Sequence, residues 1–199
     1  MCRFIESIQL KDGVFKRLEL HQTRLQKVMA GFYPNVPVID LAHVLKQSEY
    51  PTEGLFKCRV VYDSEIRQLD FLSYARREIR TLRVVETNMA STFYKSEDRS
   101  ALNAAFVKRA DCDDVLLVRN GLLTDSSYCN VALFDGENWI TPRLPLIYGV
   151  NRAQLLSEGK LIEKDIKLDD ILNFQGICLF NAMIEFGEIT IKISSDYHR

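Results

Sequence analysis

Only three histidines occur in the chain, and none stands at metal-ligand spacing, which argues against a metal site. Cysteine is equally uninformative as a ligand or a staple. Cys2, Cys58, Cys112, Cys129 and Cys178 are odd in number, scattered and without a CxxC pair, so they read as free thiols in a reducing cytoplasm. No apolar run reaches membrane-spanning length, and the first residues, Met1-Cys2-Arg3-Phe4-Ile5-Glu6, carry no apolar core of a signal peptide. A cytoplasmic location is therefore expected. Neither sign of charge dominates. A net charge of −1 gives no electrostatic case for nucleic acid or for an acidic membrane surface. Internal repeats and low-complexity segments are missing too. What remains is 199 residues with 47% apolar content, enough for a real core in one or two small domains.

The local patterns alternate between strand and helix signals. Residues 3–18 read as a hairpin: Phe4, Ile8 and Leu10 alternate with polar neighbours, Lys11-Asp12-Gly13 turns the chain, and Val14-Phe15 resumes it. His21 to Tyr33 reads as a helix with Leu25, Val28 and Met29 on one face, and Ile39 to Gln47 as a second. Leu55 to Tyr62 and Ile66 to Tyr74 form another expected hairpin, followed by a charged linker over 75–81. This places a small lobe at 1–77 and a larger one at 78–199. In the second lobe, strands are expected at Leu82 to Val85, Asp114 to Arg119, Leu122 to Asp125, Val131 to Phe134, Trp139 to Thr141, Leu161 to Ile166, Ile177 to Phe180 and Ile189 to Ile193. Helices are expected from the Lys95 region to about Lys108 and over Arg152 to Ser157. Asn120-Gly121 is the clearest hairpin turn.

Two residues stand out chemically. Lys95 follows the aromatic pair Phe93 and Tyr94 and precedes Ser96, Glu97 and Asp98, a helix-start pattern. An amine at the positive end of a helix, in a partly apolar setting, is expected to have a lowered pKa, and a neutral amine is what attacks an aldehyde. Thirty residues on, Asp125 sits at a strand end before small hydroxyl residues. A pyridoxal phosphate site needs both: an amine for the aldehyde and an acid to keep the ring nitrogen protonated. Alone, a lysine is most often a solvated charge, and a Thr-Asp-Ser-Ser run is most often a turn or cap.

Five patches in order change that balance. They are His21-Gln22-Thr23-Arg24-Leu25; Tyr94-Lys95-Ser96-Glu97-Asp98-Arg99; Asn120 through Asp125 to Asn130; Thr141-Pro142 through Gly149-Val150-Asn151-Arg152; and Phe180-Asn181-Ala182-Met183. Over nearly its whole length the chain resembles the class IV aminotransferases, pyridoxal phosphate enzymes that include branched-chain and D-amino-acid aminotransferases and aminodeoxychorismate lyase. The resemblance implies an α/β (α+β) fold of type IV, two lobes with the cofactor between them, and a homodimer. It implies pyridoxal 5′-phosphate held by Lys95 as a Schiff base, with Asp125 at the ring nitrogen. It places Arg24, Gly149, Val150 and Asn151 at the phosphate, and Ser127 and Asn130 beside the cofactor. A guanidinium suits a phosphate because it stays charged and presents a rigid fork. The Gly149 junction leaves free helix amides for an anion.

Substrate contacts are expected from Tyr94, Arg59 and Asn181. Arg59 is mid-strand and reads either as a satisfied charge or as a receiver of a substrate carboxylate. Arg24 by itself reads as a surface arginine, and only the resemblance gives it the phosphate. Arg99 lies four residues after Lys95 and is expected near its helical face, with no chemical role assigned.

Two departures from the family pattern bear on the site. Most members have glutamate where this chain has Asp125, so the backbone must lie closer. The chain also begins almost at the first hairpin, where members carry a further segment that walls the site, so a more open pocket is expected. The implied activity is an aminotransferase-like reaction on an amino acid or amino-substituted carboxylate. The alternative is 4-amino-4-deoxychorismate lyase, in 4-aminobenzoate and folate synthesis, toward which Asn181-Ala182-Met183 and the Lys-x-x-x-Arg spacing lean. A third reading is a pyridoxal phosphate-binding protein without turnover.

Overall fold

β1 (Phe4–Lys11) is buried along nearly all of its length because it lies inside a sheet with helices packed on it. The computed structural model describes residues 2–193. The chain divides into two units, Met1–Arg76 with Phe93–Asp98, and Arg77–Thr92 with Arg99–Arg199.

In the first unit, β1, β2 (Val14–Phe15), β3 (Leu55–Tyr62) and β4 (Ile66–Ser73) form an antiparallel sheet in the order β2-β1-β3-β4. The first turn uses Asp12 and Gly13, both at positive φ (49° and 77°), as a tight hairpin requires. Strand alternation puts Phe4, Glu6, Ile8 and Leu10 on one face. Phe4 and Ile8 pack into a core with Leu25, Val28, Met29, Leu41, Leu45, Cys58, Val60 and Tyr62. Glu6 shares that parity, so the pleat carries a carboxylate onto an apolar face.

α1 (Leu18–Phe32) covers that face. It begins three residues before the expected His21, capped by Arg17 in the left-handed region (φ 55°). Its buried residues, His21, Arg24, Leu25, Val28 and Met29, follow the spacing of one helix face. α2 (Leu41–Lys46) is capped by Asp40, whose side chain accepts from the His43 amide at 3.0 Å.

Phe93–Asp98 belongs to this first unit, which a division at 77 assigns to the second lobe. Its backbone pairs with the start of β1. The Ile5 amide donates to Lys95 O (2.8 Å), the Glu97 amide donates to Arg3 O (2.9 Å), and Ser96 bridges Phe4. The expected helix start at Lys95 is therefore corrected. Lys95, Ser96 and Glu97 are drawn into strand-like pairing, and the helix α3 (Ser100–Val107) begins only after Arg99. Lys95 does not lie at the positive end of a helix, and it shares no helical face with Arg99.

The second unit is a sheet in the order β10-β9-β8-β7-β6-β5, with β11 pairing β8 and β12 pairing β11. Its strands are β5 (Leu82–Glu86), β6 (Asp114–Arg119), β7 (Leu122–Ser126), β8 (Asn130–Phe134), β9 (Trp139–Pro142), β10 (Ile162–Lys164), β11 (Gly176–Phe180) and β12 (Ile189–Lys192). The β5–β6 and β9–β10 pairs are parallel and the others antiparallel. Asn120 and Gly121, at φ 52° and 74°, make the β6–β7 turn that the sequence signals. α4 (Val150–Ser157) starts directly after Gly149. β10 is shorter than the expected Leu161 to Ile166, and a 3-10 helix at Leu168–Asn173 has no counterpart in the sequence reading. Among the described residues no helix is long and apolar enough to cross a membrane.

Candidate active site

The first unit gathers its functional groups around Glu6. Arg24 lies one turn after His21 on α1, so both side chains reach the same strand residue. Arg24 Nε donates to Glu6 Oε1 at 2.9 Å and Nη2 to Oε2 at 2.5 Å. His21 Nδ1 lies 2.5 Å from the same Oε2, and as its partner is a carboxylate we assign the ring proton to Nδ1. His21 and Glu6 are fully buried and Arg24 nearly so. Burial alone would raise the Glu6 carboxyl, but Arg24 and His21 outweigh it and bring it down to about 2. Burial depresses His21 against the pull of Glu6, so the imidazole is neutral. Its Nε2 has no hydrogen-bond partner among the described residues. The Arg24 guanidinium stays charged, because Glu6 offsets the burial that would lower its pKa. Nε and Nη2 serve Glu6, and Nη1 is the fork's remaining nitrogen.

Lys95 is partly buried, and its Nζ donates to Ser7 Oγ at 3.0 Å. Ser7 is on the opposite face of β1 from Glu6 by parity, next to it in the chain. Tyr94 packs edge-on against Phe4 and Phe32, with ring centroids 5.4 and 5.2 Å apart. Arg59 donates to Glu97 (3.1 Å) and Gln68 (3.2 Å) and lies 3.7 Å from Asp70. That is the satisfied-charge arrangement; a substrate carboxylate would have to displace Glu97.

The second unit holds the other predicted residues. Asp125 is buried near the end of β7. Its Oδ1 accepts from Asn130 Nδ2 (2.8 Å) and its Oδ2 from the Ile147 amide (3.0 Å). Burial pushes the carboxyl up to about 7; neutral amide donors and the more distant Arg152 only partly oppose it. Ser127 is buried, and its carbonyl accepts from Arg99 Nη2 at 2.9 Å. Gly149 caps α4, whose first intrahelical bond runs from the Ala153 amide to Gly149 O (3.0 Å). The Val150, Asn151 and Arg152 amides precede it, so they are the donors a helix start offers to an anion. Asn151 is buried, with Nδ2 donating to Asn181 O (2.8 Å) and Ile184 O (3.2 Å). Asn181 spends its side chain on the chain itself: Oδ1 accepts from the Met183 and Ile184 amides, and Nδ2 donates to Tyr128 O and Cys129 Sγ.

The family profile described as "Amino-transferase class IV" matches residues 57–191, more than half of the chain. The chain belongs to this class IV aminotransferase family. Its members are pyridoxal phosphate-dependent aminotransferases and aminodeoxychorismate lyases, so this class IV protein is an enzyme. It is 32% identical over 185 residues to an uncharacterized protein of Haemophilus influenzae, covering 92% of this chain and 98% of that one. A crystal structure from Haemophilus somnus, described as a candidate 4-amino-4-deoxychorismate lyase, superposes with a TM-score of 0.86 at 30% identity and covers 93% of this chain and 98% of that chain. A pyridoxal phosphate-bound structure from Mycobacterium tuberculosis, described as a hypothetical aminotransferase, superposes with a TM-score of 0.77 at 17% identity, covering 99% of this chain and 82% of that one, which shows the shared fold. The class IV enzyme thus has the fold-type IV architecture.

Glu6, Ser7 and the Ile147 amide were not picked out by the sequence reading. Glu6 had a usable signal: an acid in phase with Phe4, Ile8 and Leu10 must be buried, and a buried acid needs a partner. The Ile147 amide had none, since loop geometry alone aims it.

The Asp125 carboxyl has a consequence for stability. Unfolded, it titrates near 3.8; folded, near 7. Between these values the native state binds the extra proton, so stability falls as pH rises through that window. Asp125→Asn in the cofactor-free protein is expected to remove this part of the slope. Urea unfolding at the two ends of the window checks it; an identical wild-type and variant slope would dismiss the raised carboxyl.

Proposed function

We propose that this class IV enzyme binds pyridoxal 5′-phosphate and acts on an amino acid or amino-substituted carboxylate, with Lys95 as its covalent anchor. The observation that carries this is Asp125. A carboxyl buried with only neutral hydrogen-bond donors, and pushed up to about 7, lacks a hydrogen-bonded cationic partner. A pyridine ring nitrogen carrying a proton is such a partner. The other groups suit the same molecule: an amine for an aldehyde, a charged guanidinium with Nη1 to spare, and a glycine-led helix start for a phosphate.

When bound, pyridoxal phosphate supplies an electron sink for charge developing at the substrate α-carbon. Lys95 Nζ would serve as general base for the substrate α-proton, with the Ser7 hydroxyl orienting it. Asp125 as carboxylate holds the proton on the ring nitrogen. Arg24 Nη1 in the first unit and the Val150 and Asn151 amides in the second would each suit a phosphate, with Glu6 and His21 fixing Arg24. Ser127 and Asn130 stand next to Asp125 in the same turn. Tyr94 is retained as a substrate-side residue; Arg59 would take that role only by giving up Glu97, and Asn181 only by giving up its bonds to the chain. A homodimer in the cytoplasm belongs to the same proposal.

A second reading, 4-amino-4-deoxychorismate lyase, is favoured by the Haemophilus somnus relative and by a Schizosaccharomyces pombe protein described as a candidate aminodeoxychorismate lyase, 33% identical over 88 residues. Both readings use the same groups up to proton abstraction. A protein that binds the cofactor without turnover is the remaining reading.

The test is an absorbance spectrum of the purified protein before and after borohydride, then peptide mapping. A near-visible band that becomes irreversibly attached at Lys95 is the expected result. Amino acids and aminodeoxychorismate then separate transaminase from lyase. No band, even after adding pyridoxal phosphate, would overturn the proposal.

A further inference from the structure

Asn130 is the first residue of β8 and pairs across the turn with Asp125. Its amide nitrogen has two acceptors. Nδ2 donates to Asp125 Oδ1 and to Ile147 O, each at 2.8 Å. The Ile147 amide returns a bond to Asp125 Oδ2 at 3.0 Å. The carboxyl group, the loop before α4 and the Asn130 amide therefore close a ring of three hydrogen bonds. On its other side, Asn130 Oδ1 fills the space where a Cβ on Gly149 would project. Gly149 is the cap of α4, two residues after Ile147.

We propose that Asn130 is a positioning residue that couples the Asp125 carboxylate to the start of α4, so that one side chain seats both the ring-nitrogen end and the phosphate end of the cofactor. This rests on the function proposed above and deepens it. The Asp125 side chain is held from both oxygens, one by Asn130 directly and one by the loop that Asn130 anchors.

Chemistry restricts the position. Alanine removes the donor to Asp125 and to Ile147 O together. Aspartate keeps the shape but replaces the amide donor by an oxygen, adding a like charge beside Asp125. At Gly149, any side chain displaces Asn130 Oδ1 and pulls Nδ2 away from both acceptors. The glycine is thus required by the asparagine rather than by its own backbone, whose φ of −70° suits any residue.

Asn130 should also help keep Asp125 ionised, because its bond favours the charged form. Among the described residues, the charged or titratable groups that face Asp125 within its unit include Arg152, on α4, and Cys129, in its own turn. Burial raises the Cys129 thiol, which stays neutral, so Arg152 is the one fixed charge of the two.

The experiment is a mutant cycle on Asn130 and Gly149 with two readouts. The first is the Asp125 carboxyl titration in the cofactor-free protein, by carbon-13 NMR. The second is pyridoxal phosphate affinity across pH, by fluorescence. Asn130→Ala is expected to move the Asp125 titration above its starting value of about 7. Affinity at neutral pH should fall about tenfold or more, the scale of losing a hydrogen bond to a charged group, and recover in part as pH rises. Asn130→Asp, close in shape, should move both readouts the same way and serves if the alanine variant folds poorly. Gly149→Ala should weaken binding about tenfold in the natural background but less than about twofold beside Asn130→Ala, since neighbours in one network are not additive.

An unmoved Asp125 titration in Asn130→Asp, a loss of affinity equal at every pH, or an additive Gly149→Ala effect would each overturn the coupling. If the natural protein binds no pyridoxal phosphate, the proposed function fails, and the titration in the cofactor-free protein still decides whether Asn130 controls Asp125.

Discussion

Lys95→Ala is expected to lower turnover by several orders of magnitude and to abolish the absorbance shift of bound cofactor, because in the proposed function Lys95 is both the covalent anchor and the base. The fold should survive. Lys95 is only partly buried, and its contact with the Ser7 hydroxyl is worth about 1 kcal/mol. The backbone bonds that hold it, between Ile5 and Lys95 and between Glu97 and Arg3, do not depend on the side chain. Thermal unfolding should therefore shift by a few degrees at most, which separates lost chemistry from lost structure. A variant with undiminished turnover would remove Lys95 from the centre of the proposal.

Glu6→Ala is expected to have the largest effect on stability. It strands the Arg24 guanidinium in the core, together with His21. Removing one partner of a buried ion pair costs about 3–5 kcal/mol, a large part of the roughly 5–15 kcal/mol that holds a typical domain together. The group also sets a pH dependence. Its folded pKa, about 2, lies below the ordinary 4.5, so the stabilisation is present above 4.5 and is lost as pH falls toward 2. Urea midpoints of wild type and Glu6→Ala across that range check both points. A cost under about 1 kcal/mol at neutral pH would mean that Arg24 finds water or another partner when Glu6 is gone. Exchanging a whole buried ionic group for apolar residues is often neutral or stabilising. Stability alone does not account for Glu6, His21 and Arg24; fixing Arg24 for the proposed phosphate contact would.

Much of this was legible in the sequence because it is local. The Asn120-Gly121 turn needs positive φ at both residues and has the two side chains that tolerate it best. α1 could be read from Leu25, Val28 and Met29, whose spacing is the period of a helix. The start of α3 was misplaced for a physical reason. Ser96, Glu97 and Asp98 have good first-turn chemistry, but the backbone around Lys95 is claimed by β1, some ninety residues earlier in the chain. Propensity in a short segment is weaker than hydrogen bonds to a fixed strand. The ring through Asp125, Asn130 and Ile147 was hidden for the same reason. The sequence supplied Asp125 and Asn130, but a backbone amide leaves no mark in a residue pattern.

The return of Phe93–Asp98 to the first unit also limits how such a protein can be recombined. A chimera joined at residue 77 would take β1 from one parent and Lys95 from the other. Ile5 and Ser7 would then have to receive a foreign segment. Exchanging 93–98 along with the first 76 residues keeps lysine and strand from one lineage. Crossovers that respect both junctions should outlast those that respect only the first.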